Sequence, residues 1–582
     1  MRISIFWTAA LALFTSPCLG QPSLETVRAT GLTNPGPASF SIGNAVAPIN
    51  YWMTAWTLAD VMKSAGFEAE IGDTRRSAMW VPVIDGRWAI DRRWDVRTDA
   101  AGWPVSLELT DGSRAERLVT IVLASEVTGA FPRGPYRLLY DGTGWITVEG
   151  GRVVDRPGAG EMSVVYDDAG PLIVSIAQTD PSGRGDHLRN IRLLRPDAGD
   201  ERFTRTYLDY LEPYTVIRPL HLLGDQLTYG PRLAWEERKP ERYSHWGGAL
   251  GAPYELAIDL ANRSRSDLWL TVPVAADDAY VQELAALVRD RLDSRLRVYV
   301  ELGNELWNWA DPYELGRQHA LAEARRRWPG VEGTLQPWSE GDPVNELMMI
   351  YSWQGARTVE IGEVFRETFG REAERVVVVL AGQIGGSSPD WHPSRYLLGT
   401  PVYVGVEGGP PAGEHVDAFA VAPYIGEEPG VVEFPRSSPD AFFDEAIRYV
   451  RGEGDYGPDA DEPGLRYMIR HDAALAREFG LPLVAYEGGQ HFTGSRFTRD
   501  VVNVHPRMYA LYRALFDVWQ EEGGRLFVHF AGIIPRGRNE PGTEPGYHES
   551  ENFGIKERQT QSREGAPKWA AVLDVMEAAG QR

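Results

Sequence analysis

Two short apolar runs, VYVELGNELWN at residues 298–308 and LVAYEGGQH at residues 483–491, decide the fold prediction. Each run reads as a buried β-strand that ends near a glutamate, Glu305 in the first and Glu487 in the second. Near-continuous apolar strands are typical of parallel sheets that helices cover on both faces. The carboxyl ends of such strands meet at one edge of the sheet, so the two glutamates are predicted to face a common cleft.

Six further apolar runs alternate with helical patterns along the chain. The helical pattern is clearest at residues 278–293, where Val281, Leu284 and Val288 fall on one face of a helix. The six runs are FSIGNA at 40–45, TVIRPLH at 215–221, LWLTVPV at 268–274, VVVVLAGQ at 376–383, AFAVAPYI at 418–425 and RLFVHFAG at 525–532. Eight strands alternating with helices predict a closed (β/α)8 barrel, a TIM barrel, with Glu305 after strand four and Glu487 after strand seven.

A different pattern interrupts the barrel early in the chain. Short alternating runs such as YRLLY, SVVY and LIVSIAQT are separated by Asp-Gly and Gly-Gly turns, which is typical of an antiparallel sandwich. A helix-like segment at residues 57–66 precedes these runs. We therefore predict the first part of the barrel at 39–111, an all-β sandwich inserted after the first βα unit at 112–196, and the remainder of the barrel at 197–582.

The first twenty residues have the pattern of a secretory signal peptide. Arg2 precedes an apolar stretch, which Ser16-Pro17 and small residues end, so residues 1–20 are predicted to be removed on export. The single cysteine, Cys18, lies inside this segment, and no later run approaches the ~18 apolar residues of a membrane helix. The sequence thus predicts a secreted or periplasmic protein without a membrane anchor.

The amino-acid composition indicates which kinds of molecule the protein binds. A formal net charge of −23 makes a nucleic-acid partner unfavourable, because phosphate binding needs clustered Lys and Arg. The chain has 11 histidines without an HExxH pattern and four lysines outside any phosphate-binding loop, so no metal and no cofactor are predicted. Its 19 tryptophans and 24 tyrosines supply flat apolar faces on which sugar rings stack. The composition leaves the oligomeric state open.

Two carboxylates that face each other across a sugar are the working part of most glycoside hydrolases. Asn304-Glu305 at the end of strand four and Glu487 at the end of strand seven resemble the clan A retaining glycoside hydrolases, which include many cellulases, mannanases, β-galactosidases and arabinofuranosidases. The resemblance covers the barrel and implies that Glu305 is the general acid/base, Glu487 the nucleophile and Asn304 a donor to the sugar 2-hydroxyl. It also implies that Arg218 lies near the nucleophile and that Tyr424 touches it.

Secondary candidates lie at or just beyond predicted strand ends, where packing or loop hydrogen bonding is an equally good explanation. They are Trp307, Trp235, His221, Gln383 and His491. The last strand lacks the tryptophan that many members of the clan have, so His529 or Phe530 is expected to form the floor of the subsite nearest the cleaved bond. Glu301 lies deeper in the barrel, and we expect it to form a structural ion pair.

The leading hypothesis is a secreted glycoside hydrolase that cleaves a β-linked polysaccharide or oligosaccharide by retaining double displacement. Two alternatives stay open: a non-catalytic glycan-binding or scaffold protein on the same barrel, and a transglycosylase that uses the same residues. The sugar, its linkage and the choice between endo and exo attack stay open as well.

Overall fold

The computed structural model describes residues 40–581 apart from 67–77, 125–126, 128, 197, 199–200, 225–233, 249, 311–312, 335–342, 386–392, 401–410, 427–431, 493–494 and 536–552. The predicted signal peptide, residues 1–20, therefore lies outside the described residues. No helix in the described part of the chain is both long enough and apolar enough to cross a bilayer.

Eight parallel strands close into a barrel in the order that the sequence predicts. They are β1 (Ser41–Ala45), β2 (Val216–Arg218), β3 (Asp267–Val272), β4 (Val298–Leu302), β5 (Val376–Ala381), β6 (Ala418–Val421), β7 (Leu483–Ala485) and β8 (Leu526–His529). Strand β8 pairs with both β7 and β1, which closes the barrel. The predicted (β/α)8 barrel is confirmed.

Helices connect and cover the strands. In the described residues the α-helices are Arg205–Leu211, Leu220–Leu223, Tyr254–Ser264, Asp278–Arg291, Glu314–Arg327, Glu346–Phe369, Ser394–Gly399, Pro439–Arg451, Leu465–Glu478, Met508–Glu521 and Pro567–Ala578. The helix predicted at 278–293 forms as Asp278–Arg291 and buries Val281, Leu284 and Val288, so its amphipathic reading is confirmed.

Side chains on the barrel strands alternate between the interior of the barrel and the surrounding helices. On β8, Leu526 and Val528 belong to the interior core, whereas Phe527 packs in the core between the strands and the helices. The interior core is apolar along most of the barrel and includes Val216, Tyr299 and Val484. Buried charge on the barrel strands lies near their carboxyl ends, at Arg218 on β2 and Glu301 on β4.

Two antiparallel sheets follow β1 and share one hydrophobic core. The five-stranded sheet has the order Arg87–Trp88, Val81–Ile84, Arg117–Leu123, Leu172–Thr179, Gly144–Glu149, and the four-stranded sheet the order Arg189–Leu194, Gly134–Asp141, Glu161–Tyr166, Arg152–Gly158. A further pair joins Val96–Thr98 to Pro104–Leu109. The two larger sheets form the sandwich that the alternating pattern indicates.

The antiparallel strands start earlier than the sequence predicts, inside the range 39–111 that is predicted as the first part of the barrel. Strand Val81–Ile84 pairs with Arg117–Leu123 and so belongs to the sandwich. The helix-like segment 57–66 contains only one 3₁₀ turn, Val61–Ser64, whose apolar side chains pack into the sandwich core. The helix that returns the chain to the barrel is Arg205–Leu211, so the sandwich lies between β1 and its helix. Tertiary contacts override the local helical pattern here.

Candidate active site

The chain turns sharply where β4 ends. Gly303 and Glu305 have positive φ angles of 62° and 49°, and the backbone N–H of Asn308 donates to the carbonyl oxygen of Glu305 at 2.8 Å. For glutamate this left-handed conformation costs about 1 kcal/mol, and such strain is typical of functional sites. The turn sets the Glu305 carboxyl group at the mouth of the barrel, where only 8% of the residue is exposed.

The end of β7 is built differently. A Cβ at Gly488 would lie 2.7 Å from the Phe527 ring, so only glycine fits directly after Glu487. The chain then forms the short strand Gly489–His491, which pairs in parallel with Tyr424–Gly426 after β6. This small extension continues the wall of the barrel on the side of Glu487.

Arg218 is fully buried and connects three side chains of the site. Its Nη1 donates to Glu487 Oε2 at 3.0 Å, and its Nη2 donates to Asn304 Oδ1 at 2.7 Å. Its Nε donates a hydrogen bond to Glu301 Oε2 and its Nη2 donates one to Glu301 Oε1, both at 3.0 Å. Burial opposes the charged guanidinium, but Glu301 and Glu487 outweigh that effect and raise the pKa of Arg218. Arg218 therefore stays charged beside Glu487.

Glu301 forms the structural ion pair that its depth in the barrel predicts. Besides Arg218, it accepts a hydrogen bond from Trp269 Nε1 at 2.8 Å. Burial raises the pKa of Glu301, and Arg218 opposes that rise. The two-point contact fixes the plane of the guanidinium, so Glu301 determines the direction in which Arg218 meets Glu487.

Glu305 has neutral hydrogen-bond partners instead. Asn308 Nδ2 donates to Oε2 at 2.8 Å, and the Tyr486 hydroxyl donates to Oε1 at 3.2 Å. The Tyr313 side chain bonds the same carboxyl group. Burial and then the negative charge of Glu487 raise the pKa of Glu305 to about 7. Glu305 thus holds a proton part of the time at neutral pH.

The Tyr424 hydroxyl shares a hydrogen bond with Glu487. Burial, followed by the charges of Glu487 and Glu305, raises the pKa of Tyr424 well above its ordinary value. The phenol therefore keeps its proton and can donate it in a hydrogen bond to the carboxylate. Tyr424, which follows β6, therefore contacts the glutamate that follows β7.

An aromatic cluster lies beside this tyrosine. The Tyr424 and His491 rings are 5.6 Å apart, His491 and Phe553 are 5.0 Å apart, and Phe530 and Phe553 are 5.1 Å apart. His221 joins the cluster through Phe530 at 5.3 Å. Burial lowers the pKa of His491 to about 4, so this imidazole is neutral at pH 7. The cluster offers an apolar surface next to Glu487.

The His529 side chain lies on the helix-facing side of β8. Its Nε2 lies 3.1 Å from the Tyr512 hydroxyl on the helix Met508–Glu521, and it is fully buried. Since Val528 points into the barrel, the next residue on the strand points toward the helices. Of the two residues expected to form the subsite floor, Phe530 belongs to the aromatic cluster, whereas His529 contacts Tyr512.

Three other predicted residues have different surroundings. Trp235 stacks on Tyr254 at 6.1 Å, and the Arg238 guanidinium lies 4.2 Å from its ring. Trp307 packs against the main hydrophobic core, and the carbonyl of Gln383 accepts a hydrogen bond from Ser394 Oγ at 3.4 Å. Within the described residues, no hydrogen bond joins the side chains of Trp235, Trp307 or Gln383 to either glutamate.

Several residues of the site carry no clear sequence signal. Tyr486 precedes Glu487 in the chain, yet its hydroxyl bonds Glu305 and its ring lies 5.1 Å from the Arg218 guanidinium. Phe553 comes from a distant segment and follows no local pattern. Asn308 does have a signal, because a polar residue three positions after a strand-end glutamate can close a turn onto it.

The described residues contain no group of three or more His, Cys, Asp or Glu side chains arranged to hold a metal ion. The site instead combines one carboxyl group that exchanges a proton near pH 7 with one carboxylate bonded to a buried guanidinium. Such a pair can supply a proton and a negative charge to the same substrate.

No protein-family model and no curated protein matches the chain. Among solved structures, the barrel is similar to the endo-1,4-β-D-mannanase of Thermotoga petrophila RKU-1, with 12% identity, coverage of 64% of this chain and 94% of the mannanase, and a TM-score of 0.31. Xylanase 10B of Thermotoga maritima has 11% identity, coverage of 64% and 91%, and a TM-score of 0.32. An exo-β-agarase has 9% identity, coverage of 92% and 62%, and a TM-score of 0.34. At these scores the assignment of function rests on the geometry of the site.

Proposed function

We propose that the protein is an exported glycoside hydrolase that cleaves a β-linked polysaccharide or oligosaccharide with retention of configuration. The observation that carries this proposal is the different electrostatic surroundings of two buried glutamates at one end of the barrel. Glu487 is bonded to the charged Arg218, whereas Glu305 has neutral partners and a pKa raised to about 7 by burial and by the charge of Glu487.

In the first step, the Glu487 carboxylate attacks the anomeric carbon and forms a glycosyl ester as the glycosidic C–O bond breaks. Glu305 transfers its proton to the departing oxygen, so the leaving sugar departs as a neutral alcohol. The charge of Glu487 is consumed in the ester, which removes one cause of the raised pKa of Glu305. Glu305, now ionised, then takes a proton from water, and the resulting hydroxide attacks the anomeric carbon and releases Glu487.

The surrounding residues hold this arrangement in place. Arg218 donates a hydrogen bond to Asn304 Oδ1, which fixes the orientation of the side-chain amide. The NH₂ group of Asn304 is then the donor in its proposed hydrogen bond to the sugar 2-hydroxyl. Tyr424 donates to Glu487 and keeps the attacking carboxylate in position. Glu301 holds Arg218 through two hydrogen bonds. Such fixed geometry accelerates displacement because little reorganisation is needed in the transition state.

Removal of each glutamate with chemical rescue tests the two roles separately. In E487G, azide can attack the anomeric carbon directly, so a 2,4-dinitrophenyl β-glycoside should yield the α-glycosyl azide, with inverted configuration. In E305G, azide should instead intercept the ester on Glu487 and yield the β-glycosyl azide. Because Arg218 keeps its bonds to Glu301, E487G leaves no buried cation unpaired.

A panel of β-glycosides with different sugars serves both variants, since the site does not define the sugar. The proposal is contradicted if E487G hydrolyses the glycoside at the wild-type rate, or if both variants give azides of the same configuration. A wild-type product of inverted configuration, observed by proton NMR before mutarotation, also contradicts it.

A further inference from the structure

The segment after β4 carries an exposed tryptophan. Trp309 is 60% exposed, and Leu315, six residues later, is 49% exposed. A single exposed apolar residue is ordinary on a protein surface. What distinguishes Trp309 is the way in which the surrounding chain fixes it and connects it to Glu305.

Arg317 holds both the ring and the backbone of this tryptophan. Its guanidinium lies 4.8 Å from the centre of the Trp309 ring, within the range of cation–π contact. Its Nη1 donates to the carbonyl oxygens of Asn308 and Ala310, the residues on either side of Trp309. One face of the ring is therefore covered by a guanidinium, while most of the side chain remains open to solvent.

Two hydrogen bonds connect this segment to the proposed acid/base. Asn308 donates through its side chain to Glu305 Oε2 and through its backbone N–H to Glu305 O, each at 2.8 Å. A turn closed in this way brings the two Cα atoms within about 7 Å of each other. Trp309 is the next residue, so its Cα lies within roughly 11 Å of that of Glu305. An indole side chain at this distance is within reach of the sugars that flank the cleaved bond.

Because Glu305 protonates the departing oxygen, the loop that carries it borders the leaving-group side of the substrate. We propose that Trp309 is a stacking platform for a sugar of the leaving group, and that the preferred substrate is a glycan chain that continues beyond the cleaved bond. This inference rests on the proposed function. It adds a specificity residue and a substrate class: oligosaccharides and polysaccharides, in preference to glycosides with a small leaving group.

The chain offers a matched control in Trp145. It is 55% exposed on the edge strand Gly144–Glu149 of the sandwich, and the Arg156 guanidinium lies 5.3 Å from its ring. Both tryptophans thus pair an exposed indole with an arginine, but only Trp309 adjoins a residue bonded to Glu305. A general effect of removing exposed tryptophan would affect both positions alike.

The test compares kcat/KM for an oligosaccharide with kcat/KM for the glycosyl fluoride of the same sugar, which has no leaving-group sugar. Stacking of an aromatic ring contributes roughly 1 kcal/mol, so W309A should lower the oligosaccharide-to-fluoride ratio about 5- to 10-fold. W309F should retain most of the ratio because it keeps a ring, and W145A should leave the ratio unchanged. A ratio in W309A equal to the wild-type ratio would overturn the inference, even if both constants fall together.

Calorimetric titration of the same oligosaccharide into E305Q and into E305Q/W309A separates this inference from the proposed hydrolysis. Weaker binding in the double variant supports the platform even if the wild-type protein hydrolyses no glycan on the panel. Equal binding, or no binding by E305Q of any glycan tested, overturns it. Absence of turnover together with binding that depends on Trp309 overturns the proposed hydrolysis alone.

Discussion

The ends of β4 and β7 carry the same residue type, glutamate, at the same end of the barrel but in opposite surroundings. Glu487 is bonded to the buried Arg218 and to Tyr424, whereas Glu305 is bonded to Asn308, Tyr313 and Tyr486, which are all neutral. Both residues are nearly buried, so burial alone does not distinguish them. The two carboxyl groups differ instead in their neighbours: Glu487 accepts a hydrogen bond from the Arg218 cation, whereas the hydrogen-bond partners of Glu305 are neutral.

The charge of the whole group explains the difference. One guanidinium faces two carboxylates, Glu301 and Glu487, so these three residues carry a net charge of −1 when both carboxylates are ionised. Ionisation of Glu305 as well would place a further negative charge beside Glu487 in a poorly solvated site. The network therefore favours the proton on Glu305.

Replacement of Arg218 should have the largest effect, because it removes the cation that distinguishes the surroundings of Glu487 from those of Glu305. R218M leaves Glu301 and Glu487 buried without their cation, and breaking a buried ion pair from one side costs about 3–5 kcal/mol. Thermal unfolding should show the loss of stability, and kcat/KM should fall by several orders of magnitude. R218K keeps the positive charge but cannot form the two parallel hydrogen bonds to Glu301. Relative to R218M, it should recover more of the stability than of the activity. Full activity in R218M would contradict the role assigned to this residue.

The pH dependence of kcat/KM tests whether the pKa of Glu305 is raised. Its pKa of about 7 means that the proton-donating form declines above that pH, so kcat/KM should fall tenfold per pH unit on the alkaline side. The same profile for a glycosyl fluoride, whose departure needs no proton, should lack this limb. An alkaline limb shared by both substrates would assign the titration to another group.

The smallest expected effect is a change of thermal stability with pH, which arises from the titration of Glu305. The folded-state pKa of Glu305, about 7, exceeds its ordinary value of 4.5, so the folded protein binds more protons between these pH values. This contribution to stability is fully present below pH 4.5 and is lost as pH rises through about 7. The total is roughly 3 kcal/mol.

E305Q removes that titration, so its melting temperature relative to wild type should rise between pH 4.5 and pH 7.5. E301Q is a useful contrast, because it removes a partner of Arg218 and should destabilise the protein. A constant difference between E305Q and wild type across this range would show that Glu305 has an ordinary pKa.

Much of the barrel follows from sequence because its signal is repeated. Each of the eight strands is an apolar run, and a glutamate at the end of such a run predicts a catalytic residue, as at Glu305 and Glu487, whereas Arg218 is implied only by the clan resemblance. The sequence does not predict the start of the sandwich correctly, because Val81–Ile84 is a short strand whose membership in the sandwich only its pairing with Arg117–Leu123 shows. Local periodicity cannot show which sheet a four-residue strand joins.

The details of the site depend on contacts between distant segments. His529 and Phe530 are neighbours at the end of β8, and a difference of one position reverses the direction of a side chain on a strand. His529 consequently bonds Tyr512 on the helix side, while Phe530 contacts Phe553. The bond from Tyr486 to Glu305 likewise crosses from one strand end to the other, which no local pattern encodes.

Covalent trapping tests the central claim most directly. A 2-deoxy-2-fluoro-β-glycosyl fluoride of the preferred sugar forms the glycosyl ester quickly and releases it slowly. Proteolysis and mass spectrometry of the inactivated protein should therefore place one fluoroglycosyl group on Glu487, and E487Q should not be labelled. Labelling of Glu305, of Glu301 or of no residue in a protein that hydrolyses the parent glycan would contradict the account.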